Sequence, residues 1–273
     1  MEIKTSLLQA ELLNIMKVFH KVCEDNNLRY YMLGGTCLGA IRHKGFIPWD
    51  DDIDVGMPRR DYDIFCKKWK DYLPDFLEIR YYKTEPKSPF HFAKLIDNRT
   101  TLIEREYTDY VEGVYIDLFP LDAMKNYNLW GKIRSKLIWI GKAALINHCT
   151  TEKRKQLHKR LFNFISKKIS LSFLHKIVEK LMLLENSDNP NLLCNFFGAW
   201  NNREFISFPV FGMPTLYNFE DSQFYGPQNA DSYLRSLYGD YMQLPPENKR
   251  ICRHDYYYVN LNLPYKNYKK EEP

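Results

Sequence analysis

Leu8, Leu12, Ile15, Met16 and Phe19 recur at helical spacing near the N-terminus, and the polar stretch Glu24 to Asn27 follows them, which predicts an amphipathic helix ending there. The run LRYYML reads as a strand that Gly34 and Gly35 terminate, with Thr36 as the expected cap of a short helix to about Arg42. Pro48 disfavours helix continuation, and beyond it the period changes. Ile53, Val55 and Met57 alternate with Asp52, Asp54 and Gly56, so a strand with one apolar and one acidic face is predicted. Pro58 then opens a helix carrying Tyr62, Phe65 and Trp69.

FLEIRYY, FHFAKLID and GVYIDLF are further strand candidates, which makes residues 28–122 a mixed α/β core. Helical periodicity returns over 129–146, 157–169 and 173–184. The polar break ENSDNPN precedes an aromatic stretch over 192–225, a predicted helix ADSYLRSLYG and a Lys- and Glu-containing tail. Three regions are therefore expected: an α/β core over 1–125, a helical elaboration over 126–190, and an aromatic-rich C-terminal region over 191–273 that packs on the core and completes a site.

A chain of 273 residues buries enough surface to fold without metals or disulfides, and 45% apolar with 27% charged residues is the composition of a globular protein. The six cysteines form no CxxC pair, MEIKTSLLQAELL lacks the features of a secretory leader, and no apolar run approaches the roughly 18 residues of a membrane span. The expected setting is a reduced cytoplasm. Charge refines the picture: residues 131–180 hold thirteen lysines or arginines against Glu152 and Glu179, a local +11 that leaves −6 elsewhere in a chain of net +5. Three readings of that segment stay open: a core-covering layer with solvated lysines, a contact for anionic lipid or glycan at the inner membrane face, and nucleic-acid binding. The last is disfavoured because no helix-turn-helix or RNA-reading motif accompanies the charge.

The candidate chemistry lies in RHKGFIPWDDDIDVGMPRRDYDIF, where Asp50, Asp51, Asp52 and Asp54 crowd together. An acidic run alone reads as a solvated loop. The strand register favours a different outcome, because residues two apart share a face and Asp52 and Asp54 then converge while Ile53 and Val55 enter the core. Adjacent carboxylates repel, and a hard divalent cation such as Mg²⁺ resolves the conflict while keeping positions open for phosphate. Asp117 in VYIDLFPLD is a second strand-borne acid between two apolar neighbours, and Asp122 reads as a turn or cap residue. Gly34 and Gly35 permit close backbone approach, and the helix start after them can face a phosphate. Arg42, His43 and Lys44 supply candidate cations for phosphate oxygens.

The stretch MLGGTCLGAIRHKGFIPWDDDIDVGMPRRDYDIF closely resembles the LicD family of the DNA polymerase β-like nucleotidyltransferase superfamily, which includes phosphocholine transferases and fukutin-related phosphoribitol transferases. The likeness continues through FAKLIDNRTTLIE, VYIDLFPLD and YLRSLYGDYMQLPP. It implies a mixed α/β fold with a nucleotidyltransferase-like core sheet, flanking helices and an elaborated helical region. It further implies a Gly34-Gly35 motif with Thr36, a metal pair Asp52 and Asp54, a third carboxylate at Asp117, and Asp50 in support. Asp52, Asp54 and Asp117 are the expected catalytic residues. Arg42, Lys44 and Lys94 are the expected phosphate contacts, and Mg²⁺ or Mn²⁺, as two ions, the expected cofactor.

The activity implied is transfer of phosphocholine from CDP-choline to a surface glycan or its lipid-linked precursor, such as lipopolysaccharide or teichoic acid. Transfer of another CDP-alcohol phosphate, such as glycerol or ribitol phosphate, and nucleotidyl transfer from an NTP are the alternatives. Asp51 is expected to point away from its neighbours. Arg203, Glu204, Tyr238, Asp240, Arg250 and His254 reach the site only if the chain folds back, and Trp49, Tyr30, Tyr31, Phe197, Trp200 and Tyr238 are available to enclose a quaternary ammonium.

Overall fold

A computed structural model describes residues 5–104, 110–148, 157–187, 190–252 and 254–269. Helix α1 (Thr5–Asp25) buries the predicted stripe Leu8, Leu12, Ile15, Met16 and Phe19 and extends it through Val22 and Cys23. Strand β1 is only Tyr31–Met32, shorter than the apolar run suggested, because helix α2 (Gly34–Arg42) begins directly after Leu33. Thr36 thus lies inside α2 rather than at its cap, and Gly34 starts the helix with φ +47°, a conformation that favours glycine. Strand β2 (Asp54–Pro58) leads through Pro58 into α3 (Arg59–Tyr72), as the proline predicted.

Strands β3 (Leu77–Arg80), β4 (Ala93–Asp97), β5 (Thr101–Glu104) and β6 (Tyr115–Met124) follow. The central sheet has the order β1-β2-β6-β4-β3, with β2 and β6 parallel and the other neighbours antiparallel. Its middle strand β6 is ten residues long and changes partners along its length. The first half pairs with β2 and β4, and Asp122–Met124 pair with β7 (Leu192–Cys194), which continues to β8 (Phe205–Ser207). The sheet curls as a result, and the aromatic-rich region completes it. Helices α1 and α3 pack against β6.

The basic segment folds as α4 (Leu129–Asn147), α5 (Leu157–Ser166) and α6 (Leu171–Leu183), close to the predicted spans. The short helix α7 (Phe208–Phe211) and the hairpin β9 (Thr215–Phe219) with β10 (Ser222–Gly226) precede α8 (Ala230–Tyr238). The last strand, β11 (Tyr256–Asn260), pairs with β5, which brings the C-terminal region beside the core. Both α8 and β9 pack on α2. One apolar cluster runs through all of these layers, from Leu8 in α1 to Leu237 in α8.

Candidate active site

The register of the two parallel strands sets the site. Asp54 at the start of β2 lies directly opposite Asp117 near the start of β6, and Lys94 of β4 flanks Asp117 on the other side. Three charged side chains therefore stand in one row across the sheet. Val55, Ile116 and Leu118 alternate with them and are fully buried, so a slip of one residue would drive the acids into the core. The register is held at its base by the Asp117 N–H, which donates to the Ile53 carbonyl at 2.9 Å.

Helix α2 supports this row from one side. The Thr36 hydroxyl accepts the Asp54 N–H at 2.8 Å, so Thr36 orients a carboxylate-bearing strand rather than offering its hydroxyl outward. The phenol of Tyr233, from α8, accepts the Gly34 N–H at 2.9 Å. A Cβ on Gly35 would lie 2.7 Å from Asp50 Oδ2, and one on Gly34 would lie 3.5 Å from Asp54 Oδ2. Gly35 is thus what lets the helix start press against the acidic loop, whereas at Gly34 the contact would be an ordinary one and the positive φ is what favours glycine. Thr36→Val, nearly isosteric, leaves the Asp54 N–H without its acceptor and is expected to cost about 1–3 kcal/mol of stability. Chemical denaturation measures it, with Thr36→Ser expected to recover most of the loss; an unchanged midpoint in Thr36→Val would dismiss this support.

The electrostatics of these acids suit a cation. Burial, then the charges of Asp52, Asp117, Asp50 and Glu204, push the Asp54 carboxyl well above the usual carboxylate range. Burial raises Asp117 to about 7 against the opposing pull of Lys94, with Asp52, Glu104 and Glu112 adding to the rise. Asp117 Oδ1 is buried with no hydrogen-bond partner. Two buried carboxylates raised by the charges of their acidic neighbours, one of them with an orphaned oxygen, suit a hard divalent cation better than they suit each other. Asp50, Asp51 and Asp52 each offer a carboxylate oxygen within 4.8 Å of the others, a compact set able to chelate an ion.

Asp51 nevertheless has another task. It is 4% exposed, receives the Cys252 thiol at 2.7 Å, and contacts His254 Nδ1 at 2.9 Å. Burial works against the His254 charge, but its hydrogen bond to Asp51 and the fields of Asp52, Asp51 and Glu104 outweigh it and hold the imidazolium up to about 9. Asp51 therefore ties the C-terminal region to the acidic loop. Asp50 and Asp52 beside Asp51, and the facing Asp54 and Asp117, are carboxylates that could hold a cation.

The expected phosphate contacts are placed less simply. Lys94 is 3% exposed, with Nζ 2.5 Å from Glu112 and 3.7 Å from Glu104 and lying over the Tyr115 ring. Burial alone would lower its pKa, but Glu112, Glu104 and Asp117 together hold it above the usual lysine value. Its charge acts sideways on Asp117 rather than on a ligand. Arg42 and Lys44 sit at the far end of α2 from Gly34-Gly35, a helix of nine residues or roughly 12 Å. Arg42 Nη1 donates to the Tyr241 carbonyl at 2.6 Å. Lys44, with φ +62°, borders a separate cavity of about 730 Å³ with Lys17 and Glu220, lined by none of the four acids.

Several groups beside the site are distant in sequence. Glu204 is 5% exposed, accepts the Trp200 N–H at 2.8 Å, and is raised to about 7 by burial. The rings of Trp200 and Tyr238 meet edge to face with centroids 5.0 Å apart, and the Tyr238 hydroxyl would lie 3.6 Å from a Cβ on Gly34. Arg250 lies over Trp49, the residue before Asp50, at 5.8 Å. Arg203 donates to the Leu237 carbonyl, Asp240 is exposed, and Tyr30 and Tyr31 are core residues. No local pattern announces Glu204, Tyr233 or Cys252; only the fold brings them here. Asp122 is also resolved: it is fully buried in β6 and holds Arg59 through two bonds of 2.8 Å, so it is neither turn nor cap.

A family model described as LicD/FKTN/FKRP, nucleotidyltransferase domain, matches residues 27–163, the span from β1 through both aspartate strands into α5. The chain belongs to the LicD family. Its membership in the nucleotidyltransferase superfamily accounts for a curled mixed sheet with acids at the start of two parallel strands. The lipopolysaccharide cholinephosphotransferase LicD of Haemophilus influenzae is 30% identical over 261 residues, which cover 90% of this chain and 94% of that protein. An uncharacterized protein of Rickettsia typhi is 40% identical over 70 residues, 26% of this chain and 21% of its own. The human ribitol 5-phosphate transferase FKRP is 48% identical over 40 residues, 15% of this chain and 8% of that protein. As a LicD-family member the chain is a transferase-type enzyme on the nucleotidyltransferase fold.

Proposed function

We propose that this protein transfers phosphocholine from CDP-choline to a hydroxyl of a cell-surface glycan or its lipid-linked precursor, with Mg²⁺ held by Asp50, Asp52, Asp54 and Asp117. The observation that carries the reading is the row Asp54–Asp117 with its orphaned oxygen, in a chain alignable along almost its whole length with a cholinephosphotransferase. Bound there, the metal supplies charge neutralisation for a diphosphate. The acceptor oxygen attacks the phosphorus bearing choline, the bond from that phosphorus to the bridging oxygen breaks, and CMP leaves. Asp117, on its own strand beside Lys94, receives the hydroxyl proton.

Choline is favoured over ribitol or glycerol by the aromatic corner next to Asp54. Trp200 and Tyr238 meet edge to face beside the buried carboxylate of Glu204, aromatic and acidic groups of the kind that attract a quaternary ammonium, and Arg203 over the Trp200 ring at 5.9 Å shows that this ring already takes a cation. Trp200→Ala is expected to raise the KM for CDP-choline by roughly tenfold or more while changing kcat little; initial-rate kinetics check it, and an equal effect on CDP-glycerol would remove the choline assignment. The reaction is tested by incubating protein and Mg²⁺ with CDP-choline, CDP-ribitol, CDP-glycerol or NTPs and lipid-linked glycans, then weighing the products. A glycan heavier by phosphocholine with release of CMP is expected. A nucleotide-bearing product with release of pyrophosphate would instead establish nucleotidyl transfer.

A further inference from the structure

The helices of the basic segment are apolar on two sides. In α4, Ile138, Ala144 and Leu145 are buried, yet Trp130, Ile133, Leu137 and Ile140 on the same helix are 51, 43, 44 and 47% exposed. At 3.6 residues per turn these four fall in one outward stripe about 80° wide. Helix α6 repeats the arrangement, with Leu174, Val178 and Met182 inward and Phe173 and Ile177 outward at 55 and 42%. In α5, Leu161, Phe164 and Ile165 are all more than half exposed. Isolated exposed apolar residues are ordinary, but stripes on three helices that pack together through α4 mark an interaction surface.

The polar residues on these helices decide what that surface meets. Lys132, Lys136, Arg160, Lys176 and Lys180 are exposed among the stripes, and Lys167 and Lys168 directly follow α5. Glu179 is the sole carboxylate within the three helices, and it is turned to Tyr82 and Lys83 at 2.6 and 2.7 Å. Interfaces between protein chains are depleted in lysine at their centres. An anionic bilayer instead selects lysine and arginine beside aliphatic and aromatic side chains on helices lying in its surface.

We propose that the outward faces of α4, α5 and α6 bind the surface of an anionic lipid bilayer, with the apolar stripes at the acyl boundary and the basic side chains against headgroup phosphates. No helix among the described residues is long and apolar enough to cross a membrane, so the contact proposed is interfacial. This goes beyond the transferase reading and does not depend on which group is transferred.

Flotation of the purified protein with vesicles of equal parts phosphatidylglycerol and phosphatidylcholine, and with phosphatidylcholine alone, tests the proposal. Binding is expected to the anionic vesicles, at least about tenfold stronger than to the neutral ones and weakened by salt. The double substitution Trp130→Glu with Ile133→Glu should reduce vesicle binding at least tenfold while its unfolding midpoint stays at the parent value, since both side chains are exposed. Lys132→Glu with Lys136→Glu should weaken anionic binding by roughly fivefold or more per residue. Unchanged binding by the apolar double variant overturns the proposal. So does a parent protein that ignores vesicles and instead forms a dimer, by light scattering, that the same variant dissociates, because the face then belongs to a second copy.

Discussion

Asp117→Asn is expected to lower turnover about a thousandfold, because it removes both a carboxylate of the metal set and the group assigned to the acceptor proton. Its effect on stability should run the other way. Asp117 is held at about 7 by burial and by neighbouring acids, against an ordinary value of 3.8. The folded protein therefore binds a proton that the unfolded chain releases, and the stability this group contributes falls as pH rises from about 4 through about 7. In metal-free protein, Asp117→Asn should thus match the parent near pH 4 and exceed it increasingly towards neutral pH. Added Mg²⁺ should raise the parent's melting temperature and leave the variant nearly unmoved. Thermal unfolding across pH with and without metal, alongside turnover, measures all three. A variant with near-parent turnover and a parent indifferent to Mg²⁺ and Mn²⁺ would exclude Asp117 from a metal centre.

Asp122→Ala is expected to be the most damaging change to the fold, costing about 3–5 kcal/mol. The reason is desolvation without compensation. The carboxylate is fully buried and takes two 2.8 Å bonds from Arg59, whose side chain is 10% exposed, and it also accepts from Asn186 at 3.2 Å. Truncation would strand a guanidinium that retains Asp63 at 3.5 Å and the ring of Tyr62 at 5.3 Å. Asp63→Ala, at a half-exposed partner, should cost under about 1 kcal/mol. Replacing both ends, Arg59→Met with Asp122→Leu, should cost much less than the single truncation. Urea denaturation of the set decides: equal losses for Asp63→Ala and Asp122→Ala would reduce the buried pair to an ordinary surface contact. The contrast with Asp117 is instructive, since two acids five residues apart on β6 do opposite work. One keeps a buried oxygen with no hydrogen-bond partner and suits a cation; the other is neutralised by an arginine and locks β6 to α3.

Much of this was legible from periodicity and residue type. The alternation through Ile53, Val55 and Met57 required a strand, because a period of two is read from local order alone, and β2 supplies it from Asp54 onward, with Asp52 in the loop before it. The stripes of α1, α4, α5 and α6 were likewise visible, as was the helix opened by Pro58. The cap of α2 lies three residues before the expected one, at Leu33 rather than Thr36. Thr36 has the chemistry of a cap, but Tyr233 serves the first amide from 199 residues away, which frees the threonine hydroxyl for Asp54.

Local order sufficed for the strands that carry Asp54 and Asp117 and for the glycines beside them, since burial pattern and backbone freedom are local properties. The surroundings of each acid depend instead on contacts between segments far apart in the chain. Asp51, though within 4.8 Å of Asp50 and Asp52, was tied to a cysteine and a histidine more than 200 positions on, and Lys94 was drawn to Glu112 and Glu104. Arg42 and Lys44 were left at the opposite end of α2, and Glu204 was brought within the field of Asp54. Charge acts through space over several ångströms and is set by desolvation and partners, so the role of a carboxylate depends on which side chains the fold brings near it.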